Sequence, residues 1–182
     1  MVADKNLYAV VLTFSDKIEK AFLKLRENFQ PYINYTIVPH ITLVYPFSPV
    51  FSLFKVNEQL EKVARLTKPF EVSLDRIEFF ENGSNIAYAA VEHRRALKKL
   101  HVDIVKALEG LIKEWDTDGR FNLDNFIPHV TLGVNIPAAV FPDIKKRLSN
   151  FRLRYRENIS EFSLFSQDNE NWQVNRIYGL SK

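Results

Sequence analysis

The sequence contains no cysteine among its 182 residues. That absence excludes disulfides, thiolate-held metals and cysteine nucleophiles together. Glycine is scarce, with five in the whole chain and no Gly/Ser tract, so nothing reads as a flexible linker. No apolar run approaches the ~20 residues needed to span a bilayer. The start MVADKNLYAVVLTF lacks a basic region leading into a cleavable apolar segment, so the cytosol is the default expectation and no membrane contact is expected. A large excess of one charge is lacking too. With a formal net charge of +3, affinity for a polyanion has to come from a local cluster rather than from the field of the whole protein.

Aromatic residues, by contrast, are plentiful: fifteen phenylalanines point to a core built on rings. The length is ample for a real core and suits one compact domain or two small lobes sharing an interface; the expectation is that residues 1–182 form a single domain made of two intertwined lobes. NLYAVVLTF (Asn6 to Phe14) reads as a strand, and SDKIEKAFLKLRENF as a helix with Ile18, Phe22, Leu23 and Leu25 on its apolar stripe. SLFKVNEQLEKVARL has helical spacing again. FEVSLDRIEFF and NIAYAAVE read as a hairpin turning at Asn82-Gly83. A long helix is expected from about Arg94 to Trp115, and another near Pro137 to Leu148; FRLRYR, ISEFSLF and QVNRIYGL close the chain as strands.

Two of the four histidines stand in matching settings, IVPHITLV (Ile37 to Val44) and FIPHVTLG (Phe126 to Gly133), 89 residues apart. After each motif come a helix and then an apolar strand running into a polar turn, IEFFENGSN in one case and FSLFSQDNE in the other. A duplicated strand-helix-hairpin unit accounts for this. The fold class expected is therefore α+β, two repeated units related by a pseudo-twofold axis around a central cleft that both histidines face. Strand periodicity puts His40 and Thr42 on one face with Ile41 and Leu43 on the other, and treats His129, Thr131, Val130 and Leu132 alike. An imidazole exchanges protons near neutral pH, and a threonine hydroxyl is a short, stiff donor. Two such pairs supply a base, an acid and two donors to non-bridging oxygens, which suits in-line displacement at phosphorus without a metal or other cofactor.

These motifs, His40-Ile41-Thr42-Leu43 and His129-Val130-Thr131-Leu132, resemble the two His-x-Thr-x motifs of the 2H phosphoesterases, which include 2′-5′ RNA ligase-like proteins and cyclic nucleotide phosphodiesterases. The resemblance covers essentially the whole chain. It implies a bilobal α+β fold and metal-independent hydrolysis, or reversible formation, of 2′,3′-cyclic or 2′-5′ phosphodiesters of nucleotides or RNA ends. It also implies His129 as base, His40 as acid, and Thr42 and Thr131 as oxygen donors. Many 2′-5′ RNA ligase-like members follow the second motif with an arginine; here it reads HVTLGVNI, and the first motif runs into VYPF.

Other readings compete. A cleft that grips an RNA-end or nucleotide phosphate without turnover would carry the same residues. A metal site would want a third ligand, and no acidic residue lies between Asn34 and Val50. His93 and His101, within HRRALKKLH, are expected on a solvated basic face. Arg152, Arg154 and Arg156 alternate along FRLRYR, as on an edge strand guarded by charge or a stripe holding a phosphate backbone. Tyr8, Tyr45 and Trp172 are the candidate substrate-stacking aromatics, Tyr8 on an opening strand expected to line the cleft. A nucleotide or RNA-end phosphodiester is the expected partner, with no obligate protein partner.

Overall fold

The computed structural model describes residues 7–29, 37–81, 84–92, 94–114, 126–169 and 171–181, with residues 28 and 114 described by backbone alone. The opening strand β1 (Tyr8–Thr13) leads into helix α1 (Asp16–Arg26), which carries Asp16 and Glu19 in its first turn and Lys24 and Arg26 in its last, the signs that the helix dipole favours. A 3₁₀ turn, Glu27–Phe29, follows. Then come β2 (His40–Pro49), α2 (Leu53–Leu66), β3 (Phe70–Phe80), β4 (Ile86–Glu92) and α3 (Arg95–Leu108). The chain continues through β5 (Ile112–Glu114), β6 (His129–Gly133), α4 (Phe141–Leu148), β7 (Arg152–Ile159), β8 (Glu161–Asp168) and β9 (Asn171–Gly179).

All described strands join one antiparallel sheet in the order β7-β3-β4-β6-β2-β1-β8-β9, with β5 alongside the far end of β2. The two histidine strands are therefore the central neighbours. Outward from them, β1 answers β4, β8 answers β3 and β9 answers β7, which is the expected pseudo-twofold arrangement. The two hairpins differ: β3–β4 turns toward the centre, and β8–β9 turns toward the edge. Alternate strand residues, Val10 and Leu12, Ile41 and Leu43, Val130 and Leu132, Ala87 and Ala89, enter the main core with the apolar stripes of all four helices. The helices thus cover one face. The histidines and threonines of both motifs stand on the other.

Two expected boundaries move. The helix expected to reach Trp115 ends at Leu108, because Gly110 takes φ 70, a left-handed conformation that stops the helix, and Ile112, Lys113 and Glu114 beyond it pair with Phe47–Pro49 as β5. The helix expected from Pro137 begins at Phe141, with Pro142 in its first turn and residues 138–140 in turns before it. FRLRYR is the outermost strand, and a bulge at Arg154 (φ 55) sets Tyr155 opposite Leu74 and Arg152 opposite Arg76.

Gly133, at the end of β6, lies under the buried ring of Phe29: a Cβ there would sit 3.1 Å from Phe29 Cδ1. Gly133→Ala is expected to lower stability by ~1–3 kcal/mol through overpacking. A double-mutant cycle with Phe29→Leu, measured by urea unfolding, should show part of that loss recovered.

Candidate active site

Each motif begins with a proline, and the prolines set the local geometry. Pro39 and Pro128 have no N–H to give to the sheet, and they hold the preceding residue in an extended conformation. Strand pairing therefore starts at the histidine, and the carbonyl two residues before it is left to the imidazole. His40 Nδ1 donates to the Val38 carbonyl at 2.8 Å, and His129 Nδ1 donates to the Ile127 carbonyl at 2.7 Å. A carbonyl can only accept, so each Nδ1 carries its hydrogen and each neutral ring keeps its lone pair on Nε2. The two sites are the same device used twice.

Ile41 lies opposite Val130 across the central pair. Continued by one residue each way, that antiparallel register turns His40 toward Thr131 and Thr42 toward His129. The four side chains predicted to carry the chemistry are thus brought onto one face of two adjacent strands. Burial lowers the pKa of both rings, with the carbonyl bonds opposing it in part. For His40 the positive charges of Arg26 and of His129, when protonated, add to burial, and the value falls to about 4.

Arg26 was not among the residues singled out from sequence. It is 4% exposed and reaches from the last turn of α1 into the gap where Pro39 ends the β2–β6 ladder. Its Nη1 donates to the Ile37 carbonyl at 2.8 Å, and its Nε and Nη2 donate to the Thr131 carbonyl at 3.3 and 3.2 Å. A signal was available: Arg26 falls four residues after Phe22 and eight after Ile18, on the buried stripe rather than the wet one. Also missed were Phe80 and Tyr88, which stack at 4.1 Å and both meet the His129 ring edge-on, at 5.2 and 5.3 Å. The Tyr88 hydroxyl donates to Glu78 at 3.0 Å, and Arg76 Nε donates to the same carboxylate at 2.6 Å. Burial pushes the Glu78 pKa up, but the Arg76 and Tyr88 bonds outweigh it and the net shift is downward.

The other candidates separate. Tyr8 does not line the open face: it is 8% exposed in the main core, its ring 6.2 Å from that of Phe47. Its strand offers Ala9 and Val11 to the open face instead, since side chains alternate. Trp172 is half-buried against Ala9, Val11 and Phe165, beside Ile37 and Val38, on the His40 side. Tyr45 is half-buried further along β2. His101 is not on a solvated face; it is 2% exposed, stacks on Phe126 at 3.9 Å and donates from Nδ1 to the Leu43 carbonyl at 2.7 Å. His93 lies outside the described residues. Among the described residues no group of three or more His, Cys, Asp or Glu is placed to hold a metal ion, and no helix is long and apolar enough to cross a membrane.

A model of the 2′-5′ RNA ligase superfamily matches residues 14–171. The chain belongs to that superfamily. It is thereby a 2H phosphoesterase, the family its two His-x-Thr motifs resemble. A superfamily relative from Oceanobacillus iheyensis, named as a phosphoesterase, is 29% identical over 182 residues, covering 96% of this chain and 98% of its own. Solved structures share the fold at low identity. A protein from Thermus thermophilus superposes with a TM-score of 0.71 at 19% identity, covering 96% of this chain and 97% of that one. Escherichia coli LigT, in complex with 3′-AMP, does so with a TM-score of 0.67 at 14% identity, covering 97% and 99%.

His40, His101 and His129 all have pKa values lowered from 6.5 in this superfamily fold, chiefly by burial. The folded protein refuses protons that the unfolded chain accepts near 6.5. Stability from this source is therefore fully present above about pH 6.5 and lost as pH falls from there toward the folded values. Urea midpoints should drop between pH 7 and pH 5. His101→Gln, which keeps a donor for the Leu43 carbonyl, should flatten that dependence; an unchanged slope would show that His101 does not contribute.

Proposed function

We propose that the protein is a phosphodiesterase that hydrolyses, or reversibly forms, 2′,3′-cyclic or 2′-5′ phosphodiester bonds of nucleotides or RNA ends by paired-histidine acid-base catalysis. One observation carries the reading: two imidazoles, each fixed by the same Nδ1–H bond to the carbonyl two residues earlier and so keeping an Nε2 lone pair, flank the pairing of Ile41 with Val130 on adjacent strands. Two proton carriers and two hydroxyl donors around one phosphate are what displacement at phosphorus requires. In hydrolysis of a 2′,3′-cyclic phosphate, a water oxygen bonds to phosphorus while one neutral imidazole takes its proton. The bond from phosphorus to one ribose oxygen breaks, and the other imidazole, protonated, gives its proton to that oxygen. Thr42 and Thr131 donate to the non-bridging oxygens, whose charge is held through the displacement.

Both rings favour the neutral form in the free protein. A phosphodiester carries a negative charge, and its arrival beside an imidazole favours protonation, so the substrate itself supplies the condition for one ring to become the acid. The superfamily membership, the relatives named as phosphoesterases and the likeness to LigT, a protein seen with 3′-AMP, support a nucleotide phosphate in this position. The mechanism uses no metal.

A panel of 2′,3′-cyclic mononucleotides tests the reading. Turnover is expected to persist in EDTA, and each His→Ala change is expected to cost roughly 10²- to 10⁴-fold, with the double change costing much less than the product. Tight binding without turnover would instead establish a phosphate-binding module. Thr42→Ala and Thr131→Ala should each slow the chemical step by about 10²-fold while leaving the fold intact; full kcat in a folded variant would remove that threonine from the mechanism.

A further inference from the structure

The two motifs are built alike, and yet the reaction needs them to behave differently. The structure shows where the symmetry is broken. Helix α1 lies between β1 and β2 in the chain, and α3 occupies the corresponding place before β6. Each helix sends one polar side chain from its buried stripe to a carbonyl of the motif strand in the opposite repeat. From α3 it is His101, whose Nδ1 donates to the Leu43 carbonyl in β2. From α1 it is Arg26, which donates to the Thr131 carbonyl in β6 and also to the Ile37 carbonyl just ahead of His40. The roles match, but the charges do not. A guanidinium is always protonated, whereas burial keeps the His101 imidazole toward its neutral form.

We propose that Arg26 is a positioning residue: its guanidinium braces the two motif strands together through the Ile37 and Thr131 carbonyls and places a permanent positive charge on the His40 side of the histidine pair. This rests on the histidine mechanism above and assigns its two roles. Among the described residues, the charged or titratable groups that act on His40 are Arg26 from α1 and His129 from β6. Both discourage its protonation. The repulsion between the two rings is mutual, so Arg26 is what distinguishes them; around His129 stand the Phe80 and Tyr88 rings, with Glu78, paired to Arg76, behind Tyr88. When a phosphate arrives, His129 takes the proton more readily and becomes the acid, and His40 stays neutral as the base. That is the reverse of the division the family resemblance implies.

The brace has a second consequence. The β2–β6 ladder stops at Pro39, so beyond it the separation of the strands is set by what spans the gap. Three hydrogen bonds from one planar group fix that separation, and a lysine, with a point charge on a flexible stem, cannot reproduce the fork.

The test compares Arg26→Gln, which removes the charge, with Arg26→Lys, which keeps the charge and loses the fork. The His40 and His129 rings are followed by NMR titration of the free protein, and kcat and KM are followed against pH on a 2′,3′-cyclic mononucleotide. In Arg26→Gln the His40 titration, and with it the acidic limb of the rate profile, is expected to move to higher pH while His129 moves less. In Arg26→Lys the limb should stay in place, and kcat should fall by roughly 10- to 100-fold with little change in KM. An unshifted His40 titration in folded Arg26→Gln, or an equal shift of both rings, overturns the proposal. Should Arg26→Gln fail to fold, Arg26→Lys decides: unaltered kcat refutes the brace.

Role assignment has its own readout in a nitrophenyl phosphodiester, whose leaving group needs no acid. His129→Ala is expected to lose far less activity on it than His40→Ala, and the opposite order overturns the assignment. If the wild-type protein turns over neither substrate, the proposed function fails, and the NMR titration still decides the role of Arg26.

Discussion

Everything at this site depends on one short pairing, that of β2 with β6 through Ile41 and Val130. It is the place where the two repeats meet, and it lies at the middle of the sheet rather than at an edge. Because strand side chains alternate, fixing those two residues into the core fixes their neighbours out of it, and all four polar side chains of the motifs arrive on one face together. The prolines limit the pairing and in doing so create the carbonyl partners that orient the rings. Sequence repetition, tautomer and geometry are thus consequences of a single register. A slip of either strand by one residue would turn its own histidine into the core and its apolar neighbours out of it, while the other motif kept its face.

How far this could be read from the chain alone varied with the kind of contact involved. Period-two alternation identified the strands and the faces of His40, Thr42, His129 and Thr131, because those depend only on neighbours in sequence. The same reasoning failed for Tyr8: alternation says that Tyr8 and Ala9 face opposite ways, and only the pairing with β2 and β8 says which way is inward. The long helix was overextended because apolar residues past Gly110 continue a helical pattern that the left-handed glycine interrupts. His101 looks solvated beside its basic neighbours, but its helix turns that position toward Leu43, fifty-eight residues earlier, and Phe126, further along the chain. Phe80 and Tyr88 reach His129 through strand order, which no local pattern encodes. Arg26 was legible in part, as a charge on an apolar stripe.

The open face is not symmetric in chemistry, although the strands beneath it are. On the His40 side it offers Val11, Phe165 and Trp172, with Val174 and Ile177 paired across from Phe165 and Ser163 on β9. On the His129 side it offers Tyr88, Glu78 and Arg76, then Arg152 and Arg156 on β7 across from Arg76 and Ser73. Arg156 is 3.9 Å from Glu71, a weak and exposed pairing. One half of the face is apolar and the other is charged. A substrate with a flat apolar portion and a polar one therefore meets a surface on which its two orientations differ in energy.

The order of strands also bears on how the chain assembles. The half of the sheet containing β3, β4, β6 and β7 comes from one continuous stretch, residues 70–159, whereas the half containing β1, β2, β8 and β9 is drawn from the stretches before and after it. The first half can form from contacts close in sequence. The second is completed when β8 settles against β1, with Val10 beside Leu164, which closes a loop of about 150 residues. During synthesis, then, the surroundings of His129 on β3, β4 and β6 are made while β1 still has an uncovered edge, and β8, made later in the chain, is the strand that covers it.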